Sequence, residues 1–511
     1  MRLVLLSILL AMASCQGGGA ADAVGELPSP LYGEPGYYWP SHPLIVNVCW
    51  DNASSGNITT TDGSVIPEAT ARQWVRDVVE QNWNRFGRVN FTNWTTTSGC
   101  PTLYAGAPNV HLQVVTTGNS VTNYPGKLLD GHLDGISLDL YWTSGNPTCL
   151  ANAVNIQNCI VAQSVHEFGH ALGFDHENAR PDSGNVCATD GDMHTGTQYY
   201  GAVDTSSVMW KCQNQPPNWF TAISPGDIAG FETIYQRRPS GLLVDARSAR
   251  CFSSNITPSN LVFGWACDEA NGQLWVYDFI AHTFGVSTSG TSGKLDSNGH
   301  DTIGTSPFVN TTTTGTIYQQ FTMNNMFFRN GWGGLCLDLI NGDTTNGNHV
   351  QLYQCGAAGG ANQKWTLESD YAIHFGTSSK CLTYTGTNGD LLQIWDCGAS
   401  GKHQHVNPLN DGSIVLTDFS AKCIDAQAPT SAQYAPTYPA SGVGVPSNGT
   451  PIQTYTCTSS QINQKWNLSG PIVNHNGYCL DAGSAEGYGN QDLWETCNGS
   501  LSQTFDYYFD S

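Results

Sequence analysis

A chain of 511 residues, 40% hydrophobic and 11% aromatic, is too long for one ordinary domain and too apolar for disorder. Charged residues make up only 12%, and a formal charge of −22 repels phosphate backbones, which argues against a nucleic-acid partner. After the first residues, no stretch is long and apolar enough for a membrane-spanning helix.

Residues 1–15 read as an export signal. Arg2 is the basic start, Leu3 to Met12 the apolar run, and Ala11, Ala13 and Ser14 the small residues near a cleavage point. Met12-Ala13-Ser14-Cys15 resembles a bacterial lipobox, with Met12 where Leu is usual. Two outcomes stay open: a lipid anchor on Cys15, or a plain signal peptide cut nearby. Either places the chain outside the cytoplasm, freely secreted or on the cell surface, with residues 16–30 as a flexible linker. The 17 cysteines suit an oxidising compartment, and setting Cys15 aside leaves an even number.

Residues 31–238 read as one mixed α/β unit. Leu44 to Cys49, Val110 to Val115 and Ile136 to Trp142 have the look of strands. Ala71 to Phe86 places Trp74, Val78, Val79 and Trp83 on one side of a helix. A second helix runs from Ile160 to Leu172 and is stopped by Gly173. Ser224-Pro225-Gly226-Asp227 opens a third. Of the cysteines in this unit, Cys187 with Cys212 is the expected bridge.

The second helix carries His166-Glu167-x-x-His170. Residues four apart share a helix face, so both imidazoles reach one ion, with Glu167 beside them to move a proton. Gly173 lets the chain turn, and His176 returns as third ligand. Three protein ligands and an open position define a catalytic Zn2+ site. The full pattern, His166-Glu-x-x-His170-x-x-Gly173-x-x-His176, resembles the metzincin metalloproteases. His176-Glu177-x-x-Arg180-Pro181-Asp182 resembles the astacin continuation, and Ser207-Val208-Met209 the Met-turn beneath the metal. Lys211 stands where many astacins have a zinc-binding Tyr, so no particular metzincin family is assigned. The resemblance implies an α+β zinc endopeptidase, with Glu167 as the base and peptide or glycoprotein substrates.

Beyond residue 240 the chain changes to short β segments with recurring Gln-x-aromatic triplets, most of them closing units of about 40 residues. Local cysteine pairs predict disulfides Cys251–Cys267, Cys336–Cys355, Cys381–Cys397, Cys423–Cys457 and Cys479–Cys497. Six such units resemble ricin B-type lectin lobes, three to a β-trefoil. The resemblance implies two all-β trefoils, 240–369 and 370–511, and sugar contacts from the residues that match its motif. In the third unit these are Asp338, Gln351, Tyr353, Asn362 and Gln363; in the fifth, Asp425, Tyr455, Asn463 and Gln464. The sixth keeps Asp481 and Trp494, while Ser253 and Thr383 replace the Asp in the first and fourth, and the second has lost its cysteines. The expected whole is a secreted zinc protease directed to glycans; the alternative is a lectin whose first domain is mainly a scaffold.

Overall fold

The computed structural model describes residues 31–508 apart from short internal stretches, the longest being 96–106, 185–197, 212–219 and 428–447. The export signal, Cys15, the linker and the expected Cys187–Cys212 bridge lie outside the described residues. No helix among the described residues is long and apolar enough to cross a membrane.

Five strands make the N-terminal sheet: β1 (Leu44–Trp50), β2 (Val89–Thr95), β3 (Asn109–Val115), β4 (Val121–Thr122) and β5 (Ile136–Asp139). Their order is β2-β1-β3-β5-β4, parallel except for β4, which pairs antiparallel at the edge. The run Leu44-Ile-Val-Asn-Val-Cys-Trp suits a central strand covered on both faces, and all of β1 except Ile45 is buried. Helix α1 (Glu68–Val79) buries Ala71, Val75, Val78 and Val79 at helical spacing and packs on α2 (Ala153–Ala171). α2 starts seven residues before the sequence expectation. Its N-cap, Asn152, accepts a hydrogen bond from the Asn155 N–H at 2.9 Å, a signal upstream of the apolar repeat. Gly173 ends the helix with φ +90°, open to glycine at little cost. α3 (Pro225–Tyr235) opens with a reciprocal capping box between Ser224 and Asp227. Cys149 and Cys159 are bridged across the start of α2, and Cys49 is also disulfide-bonded.

The C-terminal half folds as six lobes, at 242–278, 283–322, 326–367, 373–408, 414–470 and 472–507. Lobe three, for instance, holds strands Phe327–Asn330, Cys336–Leu339, Val350–Tyr353 and Trp365–Leu367. The five expected disulfides join the hairpins of lobes one, three, four, five and six. Each triplet aromatic Trp275, Phe321, Trp365, Trp466 and Phe505 is buried in the core.

Strand pairing corrects the expected division at 369/370. Lobe three passes to lobe four through Trp365↔Phe375, four to five through Val406↔Leu416, and five returns to three through Asn330↔Trp466. Lobe one passes to two through Trp275↔Val286, two to six through Thr322↔Val473, and six back to one through Asp245↔Phe505. One trefoil, 326–470, is therefore inserted within the other, which is made of 242–322 and 472–507. The reason is local: Phe327 pairs with Ser469, so the insertion leaves and re-enters at adjacent strands and fits where a hairpin turn would otherwise stand. Backbone pairing of Leu468 with Tyr507 joins the two trefoils.

Three units meet at Asp506. Arg85 of the N-terminal unit and Arg329 of the inserted trefoil both pair with this carboxylate of the outer trefoil. Arg88 pairs with Glu269, and the Asn90 amide donates to the Cys267 carbonyl at 3.0 Å.

Candidate metal centre and carbohydrate pockets

α2 carries His166 and His170 on one face, and the turn at Gly173 brings His176 to meet them. Nε2 of His176 lies 3.2 Å from Nε2 of His166 and 3.2 Å from Nε2 of His170. The opposite ring nitrogens are taken by backbone carbonyls: His166 Nδ1 by Val208 at 2.7 Å and His170 Nδ1 by Phe174 at 2.6 Å. That fixes the tautomer and leaves the Nε2 lone pairs facing one point. Burial, then the neighbouring imidazoles, pushes His170 well below the ordinary histidine range, and burial with His166 holds His176 at about 2. Two neutral rings joined by His166 form a donor set that fits Zn2+ with an open fourth position.

Glu167 is buried, and its Oε2 accepts a hydrogen bond from Thr122 on the edge strand β4 at 2.8 Å. Burial raises its pKa, opposed by His166 and the Thr122 hydroxyl. Met209 is fully buried and packs on Gly169; a Cβ there would collide with the Met209 sulfur. Asp227 holds the turn beneath the histidines, accepting from Ser207 Oγ at 2.5 Å and from the Val208 N–H at 2.9 Å. The Glu177 N–H donates to the Met209 carbonyl at 2.9 Å, tying the third histidine to the same turn. Lys211 is exposed on the turn.

In lobe three, Asp338 accepts from Gln351 at 2.9 Å and from Gln363 at 3.1 Å. Tyr353 is half-buried opposite Cys336, and Asn362 packs over Gly342, without a bond to Asp338 among the described contacts. Lobe five has the same residue types in a different state. Asp425 accepts from Gln453 at 2.8 Å and from both Asn463 and Gln464 at 2.9 Å, and Asn463 also donates to the Ala426 carbonyl. Asp425 is 1% exposed against 5% for Asp338, and Asn463 is 2% exposed, so the amide donors of lobe five are spent on Asp425. Tyr455 stands opposite Cys423, half-buried.

The remaining lobes reuse this scaffold with other residues at these positions. Gln273 bonds Ser253 at 3.0 Å and Gln404 bonds Thr383 at 2.9 Å, each hydroxyl standing where Asp338 stands. Gln404, not Gln393, is thus the structural triplet glutamine of lobe four. Trp395 lies opposite Cys381, the position of Tyr353, but Lys402 Nζ sits 3.5 Å over its ring. Lobe two kept an aspartate that sequence reading passed over: Asp296, in Lys294-Leu-Asp296, accepts from Gln319 at 2.9 Å. The missing cysteine at Lys294 hid it. In lobe six, Trp494 is buried against Phe321, and Glu495 faces Cys479 where an aromatic would be needed.

A family model described as "Ricin-type beta-trefoil lectin domain" matches residues 324–442. Nigrin b from Sambucus nigra is 42% identical over 67 residues, 13% of this chain. The match spans only 11% of Nigrin b's length. Among solved structures, that of myroilysin aligns over 40% of this chain and 98% of its own, at 19% identity and a TM-score of 0.27. The agglutinin from Abrus precatorius aligns over 42% of this chain and 75% of its own, at 18% identity and a TM-score of 0.21. The chain is a mostly β protein with a ricin-type β-trefoil lectin region, whose match begins where the inserted trefoil begins.

Proposed function

We propose that the chain is a secreted zinc endopeptidase whose inserted trefoil binds carbohydrate and brings the enzyme to glycoproteins or glycan-coated surfaces. The observation that carries the reading is the convergence of three Nε2 atoms beside a buried glutamate. When bound, Zn2+ supplies Lewis-acid polarisation of the scissile carbonyl and activation of water. Glu167 takes the proton of the attacking water on the carboxylate oxygen that Thr122 leaves open, then delivers it to the leaving amine. Thr122 orients Glu167 for both transfers. β4, the edge strand of this sheet among the described residues, offers its outer edge to an extended substrate backbone. Asp227, through Ser207 and Val208, keeps His166 aimed. The disulfides support export.

Casein hydrolysis by purified protein, with and without a chelator and beside Glu167→Ala, tests the reading. Chelator-sensitive cleavage that disappears in Glu167→Ala while the protein still holds zinc is expected; absence of cleavage by folded, zinc-loaded protein would sink it. The lectin match at 324–442 favours a second reading, a sugar-binding protein whose N-terminal unit is mainly a scaffold. That reading expects glycan binding without proteolysis.

A further inference from the structure

A cleft of about 1050 Å3 opens where the N-terminal unit meets lobe three. One wall comes from α1, the helical turns Glu80–Asn84 that follow it and the start of α2, with Trp74, Gln81, Gln157 and Asn158; the other has Gln354 of lobe three and Asn448 of lobe five. Gln354 directly follows Tyr353, the aromatic of the lobe-three pocket, and its N–H donates to Asn448 Oδ1 at 2.7 Å. Pocket and cleft are therefore neighbours at the end of one strand.

The lining has the chemistry of a hydroxyl-covered ligand. Side-chain amides donate and accept together, as sugar hydroxyls require. Trp74 and Phe220 add apolar ring surface for C–H faces. Asp506 offsets one of the two positive charges that Arg85 and Arg329 bring to the cleft, and Asp77 and Asp204 outweigh the other, so the lining repels anions. This balance favours neutral sugars over acidic ones.

We propose that the cleft is a second carbohydrate subsite, taking the continuation of a neutral oligosaccharide whose terminal sugar sits against Asp338 and Tyr353. The inference rests on the lobe-three sugar reading. It makes the N-terminal unit a partner in glycan recognition, so that one glycan chain touches both units.

The test uses the full chain on a printed array carrying each common neutral monosaccharide alone and at the end of a tetrasaccharide, followed by calorimetry on the best pair. Wild type is expected to bind the tetrasaccharide about tenfold tighter than its terminal monosaccharide. Gln157 and Asn158 are exposed on α2, so Gln157→Ala with Asn158→Ala leaves the fold intact. This double variant is expected to bring the two affinities within about twofold while monosaccharide binding stays unchanged. Equal affinities in wild type, or a gain that the double variant does not reduce, overturns the second subsite and leaves the lobe-three reading standing. No monosaccharide binding, or binding indifferent to Asp338→Ala, overturns the lobe-three reading and this inference with it.

Discussion

Arg85 and Asp506, 421 positions apart, meet in a buried two-pronged ion pair with Nη2 2.8 Å from Oδ1. Asp506 is 1% exposed and is shared with Arg329, so one carboxylate ties together two guanidinium groups from two other units. Asp506→Ala leaves both uncompensated in a dry junction and should cost about 3–5 kcal/mol. Urea unfolding checks this. The wild type should melt the N-terminal unit and outer trefoil together, and the variant in separate steps; an unchanged midpoint would show that the junction does not couple them.

Glu167→Gln keeps the shape and the Thr122 contact but removes the proposed base. Peptide hydrolysis should fall by about 10²–10⁴-fold, with zinc content by elemental analysis unchanged. His170→Ala should lose zinc as well. Equal metal loss in both variants would reassign Glu167 to a structural role.

Gly169→Ala drives a methyl into the Met209 sulfur, and both residues lie in closed packing. A cost of about 1–3 kcal/mol is expected, together with weaker zinc retention against a chelator, because the Met209 turn carries the Val208 carbonyl that aims His166. Thermal melting and chelator titration read the two effects separately.

Asp338 and Asp425 should behave oppositely in sugar binding. Asp338→Ala should abolish sugar binding and, by orphaning the amides of Gln351 and Gln363, also cost about 1–3 kcal/mol. Asp425→Ala should leave sugar binding intact while orphaning the amides of Gln453, Asn463 and Gln464, at about 1–3 kcal/mol. Glycan-array signal and melting temperature on both variants decide it.

Buried carboxyls should make stability depend on pH in opposite directions. Burial, partly offset by Arg76, lifts Glu80 to about 7; burial lifts Asp245 and Asp425 to about 6 against their hydrogen-bond donors. A carboxyl raised on folding contributes stability that is complete below its unfolded value of about 4 and is lost as pH climbs through the folded one. Asp506 runs the other way: burial would raise it, but Arg85 and Arg329 prevail and lower it, so its contribution is lost as pH falls. Between about pH 5 and about pH 7 the melting temperature should fall less steeply in Asp425→Asn than in the wild type.

The histidine cluster was legible because its three members sit at fixed steps on one helix and one turn, where 3.6-residue geometry sets distance directly. The start of α2 was not, since Asn152 caps the helix ahead of the apolar repeat that announces it. Lobe four is degenerate in sequence because Gln393-Ile-Trp395 sits early in its unit, on a hairpin strand, while Gln404 holds the closing position with Val406 in place of an aromatic. The nesting of the trefoils had no local signal at all. Lobes of similar sequence give no sign of which strands close a barrel, and that choice is made by contacts such as Thr322↔Val473 between distant segments.

The nesting also sets an order of events on the ribosome. Lobes one and two leave the exit tunnel with no partner to close their barrel, and they wait while all of 326–470 is made. The inserted trefoil has its three lobes in sequence and is complete first. Lobe six, beginning at Val473, is the last to emerge and brings Asp506 with it. At a synthesis rate of about 5–20 residues per second, the exposed half-barrel persists for roughly ten seconds or more. A nascent chain that stops short of lobe six would therefore hold a finished sugar-binding module beside an open outer barrel and an unanchored N-terminal unit, a product marked for quality control.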